Sequence, residues 1–515
     1  MKNTVFSIKN TGANDSLARQ AIAGSFWVIG LRVGVQIMYF ARLVILGRLL
    51  SPVDFGLMGI ALMIIIISDA ISQPGFQHAL IQSKEDVYKY LDTAWSLMII
   101  RGAFLLAVLT ASSTWAASFF NTEQIKIILP VMAIALFMSS ISNSSVFLFL
   151  KKMDYKKQVF YESSGTIIEF IVAVTYAIIN PSVWALVFGY FAGSLTRLIT
   201  SFVLDNYRPR FSIQWEKAKK LMGFGRWITG SSILILISGF LDNFFVAKLL
   251  GDASLGYYRM AFQISNLPAT EINYVANRVA LPTYAKIQDD NILLKKTFMS
   301  LLRIITLITF PFSVFIIFLG HDFVMLLLGE KWLPMVFPMQ ILGMAGLVKS
   351  LTSTGTPLFT GTAYPKYEMI TQGIRCLIFL ITIYVFTFHY NMTGTAVSVL
   401  ISVIAMVFPW LFFSGKIIKA GLFDYLRQLA APLIGALAMA AFFYFLPLNI
   451  FRTETVTLLS YLVFIVALIT GSAVYLAIVW VMNKTFSMCN NIDDVKLLYS
   501  FFRGRVESPD SSFEK

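Results

Sequence analysis

Apolar runs of about 20 residues, separated by short polar connections, follow one another along nearly the whole chain, and each is long enough to cross a membrane as a helix. Fourteen are predicted. Twelve lie near 22–46, 55–74, 92–118, 126–149, 162–180, 183–203, 226–249, 255–281, 298–319, 333–360, 367–388 and 392–413, and two more near 428–447 and 456–482. The expected fold class is all-α, a polytopic integral membrane protein of about 14 transmembrane helices.

The pattern occurs twice. At an offset of 200 positions Trp27 meets Trp227, Gly30 meets Gly230, Ile37 meets Ile237 and Phe40 meets Phe240. Leu49-Leu50 then meets Leu249-Leu250, Gly56 meets Gly256 and Ala61 meets Ala261. The register persists further on, where Ala79-Leu80 matches Ala280-Leu281, and Tyr155 and Lys157 match Tyr364 and Lys366. Two parallel six-helix repeats are therefore expected, 21–204 and 227–413, with a cytoplasmic segment 1–20 before them. A cytoplasmic linker 205–226 joins the repeats, and extra helices within 428–482 and a cytoplasmic tail 483–515 follow them. The differences between copies matter as well, since Arg32 aligns with Ser232 and Arg42 with Asp242. Arg48 and Lys248 sit at matched ends of the first and seventh spans, where they suit interface anchors.

Composition agrees with a membrane location: 57% of residues are hydrophobic, 13% are charged, and the mean hydropathy is +0.74. A net charge of +14 would suit nucleic acid in a soluble chain. Here the basic residues sort by side instead. With a cytoplasmic N-terminus, 27 Lys and Arg fall in cytoplasmic segments and 5 on the opposite side, so both termini are expected in the cytoplasm. Cys376 and Cys489 offer no disulfide framework, and His78, His321 and His389 have no metal-ligand spacing. No Gly-Lys-Ser/Thr phosphate loop occurs, and the chain calls for no cofactor and no metal.

Nine basic residues fall inside spans: Arg32, Arg42, Arg101, Arg197, Arg259, Arg278, Arg303, Lys349 and Arg375. Each would cost about 2.5–3.5 kcal/mol facing lipid. Arg42, Arg197, Arg259 and Arg278 lie near helix ends and can snorkel. Arg32, Arg101, Arg303 and Arg375 lie deeper. Either they pair with Asp69, Glu169, Asp242 or Glu271 between helices, or they line a cationic, water-filled cavity for an anionic substrate. The same four acids are candidates for carrying a coupling proton or sodium ion.

The eighth span carries a polar stripe, Arg259, Gln263, Asn266, Thr270, Asn273 and Asn277, in steps of three and four residues. Such a stripe faces protein or water rather than lipid, as interhelical glue or as a cavity wall. Ser139 to Ser145 in span four and Lys349 to Thr354 in span ten are a second polar echo, suited equally to close packing and to substrate contact.

Several ordered segments resemble the polysaccharide-transporter branch of the multidrug/oligosaccharidyl-lipid/polysaccharide exporter superfamily. They are Leu49-Leu50-Ser51-Pro52-Val53-Asp54-Phe55-Gly56-Leu57, Ala79-Leu80-Ile81-Gln82, Leu255-Gly256-Tyr257-Tyr258, Lys286-Ile287-Gln288-Asp289-Asp290 and Leu328-Gly329-Glu330-Lys331-Trp332-Leu333-Pro334. The resemblance covers roughly 15–430. It implies two lobes related by pseudo-twofold symmetry and no enzymatic activity. It also implies flipping of undecaprenyl-pyrophosphate-linked sugar units across the bacterial inner membrane for O-antigen, capsule or exopolysaccharide synthesis. Partners would be the lipid-linked oligosaccharide, membrane lipids, and polymerase and chain-length machinery, with no nucleic acid. On this reading Arg32, Arg101, Arg303, Arg375 and Arg259 meet the pyrophosphate, while Gln263, Asn266 and Asn273 contact sugars. The rivals are a drug/cation antiporter, which should favour acids over bases in its spans, and a membrane glycan polymerase or ligase. The latter lacks a large outer loop here; His321, Asp322 and Glu330 are its few candidate groups.

Overall fold

The computed structural model describes residues 34–72, 87–151, 154–446 and 457–486, without the side chains at 150, 155, 217, 218, 220–238, 268, 269, 271–279, 485 and 486. Among the described residues the chain is helical with no strand, and nine helices are long and apolar enough to cross a membrane. The first helix, α1, covers 34–49. It is followed by α2 (Pro52–Ser72), α3 (Tyr88–Phe120), α4 (Ile125–Ile141), the short α5 (Phe147–Lys151), α6 (Tyr155–Ile179) and α7 (Val183–Val203). Then come α8 (Trp215–Ile287), α9 (Asn291–Leu327), α10 (Val336–Thr352), the short α11 (Gly355–Gly361), α12 (Pro365–Ile418), α13 (Leu422–Phe445) and α14 (Leu458–Phe486).

Local chemistry explains the boundaries. At the start of α2 the Ser51 hydroxyl accepts from the Asp54 amide, while the Asp54 carboxylate accepts from the Ser51 amide at 2.9 Å, a reciprocal capping box with Pro52 as the first helical residue. Asp290 caps α9 by accepting from the amides of Ile292 and Leu293. α8 and α12 each contain two legs, broken at Gly251 (φ 84°) and at Asn391 (φ 53°), which have left-handed backbone angles. Spans four and ten, expected as single helices, are interrupted instead, between α4 and α5 and between α10 and α11. The polar echo falls at these interruptions. The Asn143 side chain accepts from the Ser145 amide and donates to the Tyr207 carbonyl, and Ser144 Oγ donates to the Leu91 carbonyl. In span ten the hydroxyls of Thr309 and Ser350 meet at 3.0 Å, and Thr356 donates to Glu368. The Asn143 side chain thus satisfies a freed backbone amide, and the hydroxyls join neighbouring helices.

The largest apolar core runs through both halves of the chain, joining Leu57, Ile60 and Leu129 with Tyr258, Trp332 and Leu342. Its centre is the crossing of α2 with the second leg of α8. A methyl group added at Gly56 would meet the Asp252 backbone, and one added at Gly256 would meet the Pro52 backbone. Since 52 and 252 are also 200 apart, the contact is reciprocal, as at a twofold axis. α13 and α14 pack on α9 through Ala436, Phe443 and Tyr475 against Phe310, Val314 and Leu319.

Two sets of polar contacts hold the halves in register. Where α1, α3 and α9 end, cations cap exposed helix carbonyls. Arg48 donates to the carbonyls of Leu326 and Leu327, Lys331 to those of Arg48 and Leu50, Lys248 to that of Phe119, and the Trp332 indole to that of Gly47. Elsewhere, residues 204–214 form an extended strap along the start of α3. The Tyr207 hydroxyl and the Arg210 amide both donate to Asp92, the Ser212 amide donates to Ser96, and the Gln214 amide donates to Thr93.

Candidate functional site, an arginine-lined cavity

Where α2 and α8 diverge from their glycine crossing, a cavity of about 340 Å³ opens between α1, α2, α6, α7 and the second leg of α8. Its polar lining is Tyr39, Arg42, Thr166, Glu169, Tyr190, Arg259 and Gln263, set among Leu43, Phe55, Leu62 and Leu186. A concave, partly apolar chamber with a few convergent polar groups is the usual form of a ligand site.

Glycines create the room for its charged side chains. Arg259 lies against Gly59, where a Cβ would come within 2.7 Å of its Cδ, and its guanidinium donates to the Gly59 carbonyl at 2.9 Å. No carboxylate pairs with Arg259 among the described residues. Across the cavity, Gly189 and Gly193 on α7 bring that helix onto α6, and Gly193 sits against Glu169. Arg197 crosses Gly165 and lies 3.9 Å from Glu169 Oε2, while Arg42 donates to Glu169 Oε1. Two arginines thus share one carboxylate, and Arg259, without an ion pair among the described residues, feels Asp242 only through longer-range electrostatics. Arg42, Arg197, Arg259 and Glu169 together carry an excess of two positive charges in and just behind the cavity wall. Arg42 also lies over the Tyr39 ring, with 5.1 Å from guanidinium carbon to ring centroid.

Of the residues expected at a site, Arg259, Gln263 and Glu169 come together here. Arg42 and Arg197, read as snorkelling from helix ends, face inward on this cavity and its back wall. The other residues lie elsewhere. Arg101 pairs with Asp69 at 2.6 Å between α3 and α2. Arg303 is buried on α9 and donates to Gln428 at 3.3 Å. Asn266 is buried and donates back to the Phe262 carbonyl. Arg375 donates to Gln372 and lies in electrostatic reach of Asp242. Asp242 itself accepts from the Asn243 amide and side chain and from the Tyr258 hydroxyl, with Lys349 in electrostatic reach. Arg32 lies outside the described residues, as do the side chains of Glu271 and Asn273. Among the described residues no group of acids, histidines or cysteines could hold a metal ion.

One signal in the sequence could have found the cavity. Residues 59 and 259 are repeat equivalents, and they touch. Equivalent positions meet only close to a twofold axis, so a Gly/Arg mismatch there puts one cation on the axis between the halves.

Long apolar helices packed about a charged internal cavity define a multi-pass membrane protein. The chain belongs to the family described as polysaccharide biosynthesis protein, whose profile matches residues 45–337. It is 25% identical over 473 residues, 90% of this chain and 96% of the relative, to an uncharacterised membrane protein in the cps region of Klebsiella pneumoniae. It is 26% identical over 345 residues, 67% and 70% of the two chains, to the lipopolysaccharide biosynthesis protein WzxC of Escherichia coli K12. Among solved structures it superposes on the lipid II flippase MurJ, inward closed conformation, with TM-score 0.71 and 15% identity, covering 90% of this chain and 99% of the other. An inward-facing multidrug resistance MATE family transporter of the MOP superfamily follows at TM-score 0.62 and 14% identity, covering 75% and 95%. These likenesses establish the fold.

Proposed function

We propose that this protein moves diphosphate-linked oligosaccharides, carried on a polyprenyl lipid, from the inner to the outer leaflet of the bacterial inner membrane. The carrying observation is the internal cavity whose lining includes both Arg42 and Arg259, with excess positive charge. A diphosphate diester bears two negative charges, and guanidinium forks match its oxygens. Gln263, Tyr39 and Tyr190 offer hydrogen bonds to the first sugar, and the prenyl chain stays in lipid. The succinoglycan biosynthesis transport protein ExoT of Rhizobium meliloti, 22% identical over 341 residues, supports transport as the activity. A drug/cation antiporter reading is disfavoured by the sign of the cavity charge, and an enzyme reading by the family. Arg32, Arg101, Arg303, Arg375, Asn266 and Asn273 remain proposed contacts in other states of the cycle, with Asp69, Glu169, Asp242 and Glu271 as proposed ion carriers.

The transport cycle we infer is alternating access between two parallel six-span lobes, 21–204 and 227–413, in a fourteen-span chain with cytoplasmic termini. The reciprocal glycine crossing supports that layout. The capped helix ends would then form the closed outer gate. The test is complementation of a deletion strain. Arg259→Ala should leave lipid-linked oligosaccharide accumulating in the inner leaflet and abolish surface polymer at normal expression. Wild-type polymer with Arg259→Ala, or no accumulation in the deletion strain, would overturn the reading.

A further inference from the structure

We propose that Glu169 is an exchangeable counter-anion, which holds Arg42 while the cavity is empty and yields it to the incoming diphosphate. The inference rests on the reading of this cavity as a diphosphate site and assigns a role to the one acidic group in its lining. Three observations carry it. Glu169 and Arg42 both line the cavity, with side chains 16% and 20% exposed, so their ion pair is within reach of a ligand rather than sealed in packing. The carboxylate has a second partner, since Arg197 lies 3.9 Å from its other oxygen on the side of α7. Room for the shift is provided by Gly193 and Gly165, where larger residues would press on Glu169 and Arg197.

The exchange breaks no covalent bond, only the Arg42–Glu169 hydrogen bond. A diphosphate that spans from Arg259 toward Arg42 offers its own oxygens to Arg42, and Glu169 closes the remaining gap to Arg197. The Arg42 and Glu169 charges stay paired at each stage, which avoids the cost of a buried, uncompensated carboxylate. Two consequences follow for selectivity. A small anion that reaches only one arginine gains too little to dislodge the carboxylate, whereas a diphosphate gains two charge-assisted contacts at once. On release, Glu169 returns to Arg42 and competes with rebinding.

The test uses the full chain purified in detergent, with geranyl diphosphate as the probe in a calorimetric titration. Glu169→Gln should tighten binding about ten- to a hundredfold, the worth of one displaced charge-assisted contact. Inorganic phosphate should compete in that variant and fail to compete in the wild type. Arg197→Gln should weaken binding, because the displaced carboxylate loses its second partner. The double variant should recover the affinity of Glu169→Gln, and it supplies the same reading should the single variant fail to fold. In cells, Glu169→Gln should lower polymer output despite the tighter binding. Unchanged or weaker binding in both Glu169→Gln and the double variant, with Arg259→Ala still abolishing it, would make Glu169 a structural strut and leave the transport reading standing. Absence of binding to the wild type, or binding indifferent to Arg259→Ala, would remove the diphosphate site and this proposal with it.

Discussion

Substituting Gly56 by alanine probes the crossing at which α2 and α8 meet. The added methyl group would stand 3.1 Å from the Asp252 Cα and closer still to its carbonyl group. Backbone atoms cannot rotate aside, so α2 and α8 must part by on the order of 1 Å, at a cost of about 1–3 kcal/mol. The lysine, arginine and indole contacts to the Gly47, Arg48, Leu50, Leu326 and Leu327 carbonyls lie at the same end, and separation strains them. A state in which that end is already open does not bear the clash. The substitution therefore favours it, and a differential of about 1.4 kcal/mol is a tenfold change in population. The assay is labelling from outside the cell by an impermeant maleimide, at a cysteine replacing Gln263, in a background without Cys376 and Cys489. Gly56→Ala and Gly256→Ala should each raise the labelling rate about tenfold. The double variant should exceed either one by much less than their product, because the first methyl group opens the space that the second needs. Wild-type labelling and thermal stability in both single variants would refute the reasoning, and so would strict multiplication in the double.

Removing Arg101 leaves Asp69 without its partner. Arg101→Ala should cost about 2 kcal/mol of stability, less than for a fully buried pair because Asp69 is 32% exposed, and neutralising both residues should restore most of it. Truncating Arg48 and Lys331 together uncaps two helix ends, and outside labelling at position 263 should rise as it does for Gly56→Ala. In the strap, burial and the hydrogen bond to Asp92 raise the Tyr207 hydroxyl above its ordinary range. Its contribution to stability should be intact below a pH of about 10, where the unfolded phenol titrates, and should fade as pH climbs toward the raised value. Tyr207→Phe should remove that alkaline dependence, as read by melting temperature against pH.

The helices were legible because they depend on long apolar runs, which a lipid environment enforces. The interruptions in spans four and ten were visible as polar clusters, yet their role depended on which neighbour received each hydroxyl. The cavity was harder to read. Distance from a helix end measures depth in the membrane, and by that measure Arg42 and Arg259 could snorkel. What turns them inward is lateral: the missing side chain at Gly59 and the glycine-lined contact of α6 with α7. The pairing of Arg101 with Asp69 joins residues 32 apart on separate helices, and no periodicity along either helix encodes it.

The strap from 204 to 214 has a mechanical consequence. A loose tether would let the second half drift and return by diffusion, with the ordering cost incurred again at each cycle. Here the tether is laced to α3 by four hydrogen-bond donors, so its slack has already been taken up on one side. Any rocking of the halves must then bend the chain where the lacing stops and α8 begins, at Gln214 and Trp215. In the proposed cycle that short stretch would be the axle, and stiffening it should slow transport without touching the cavity.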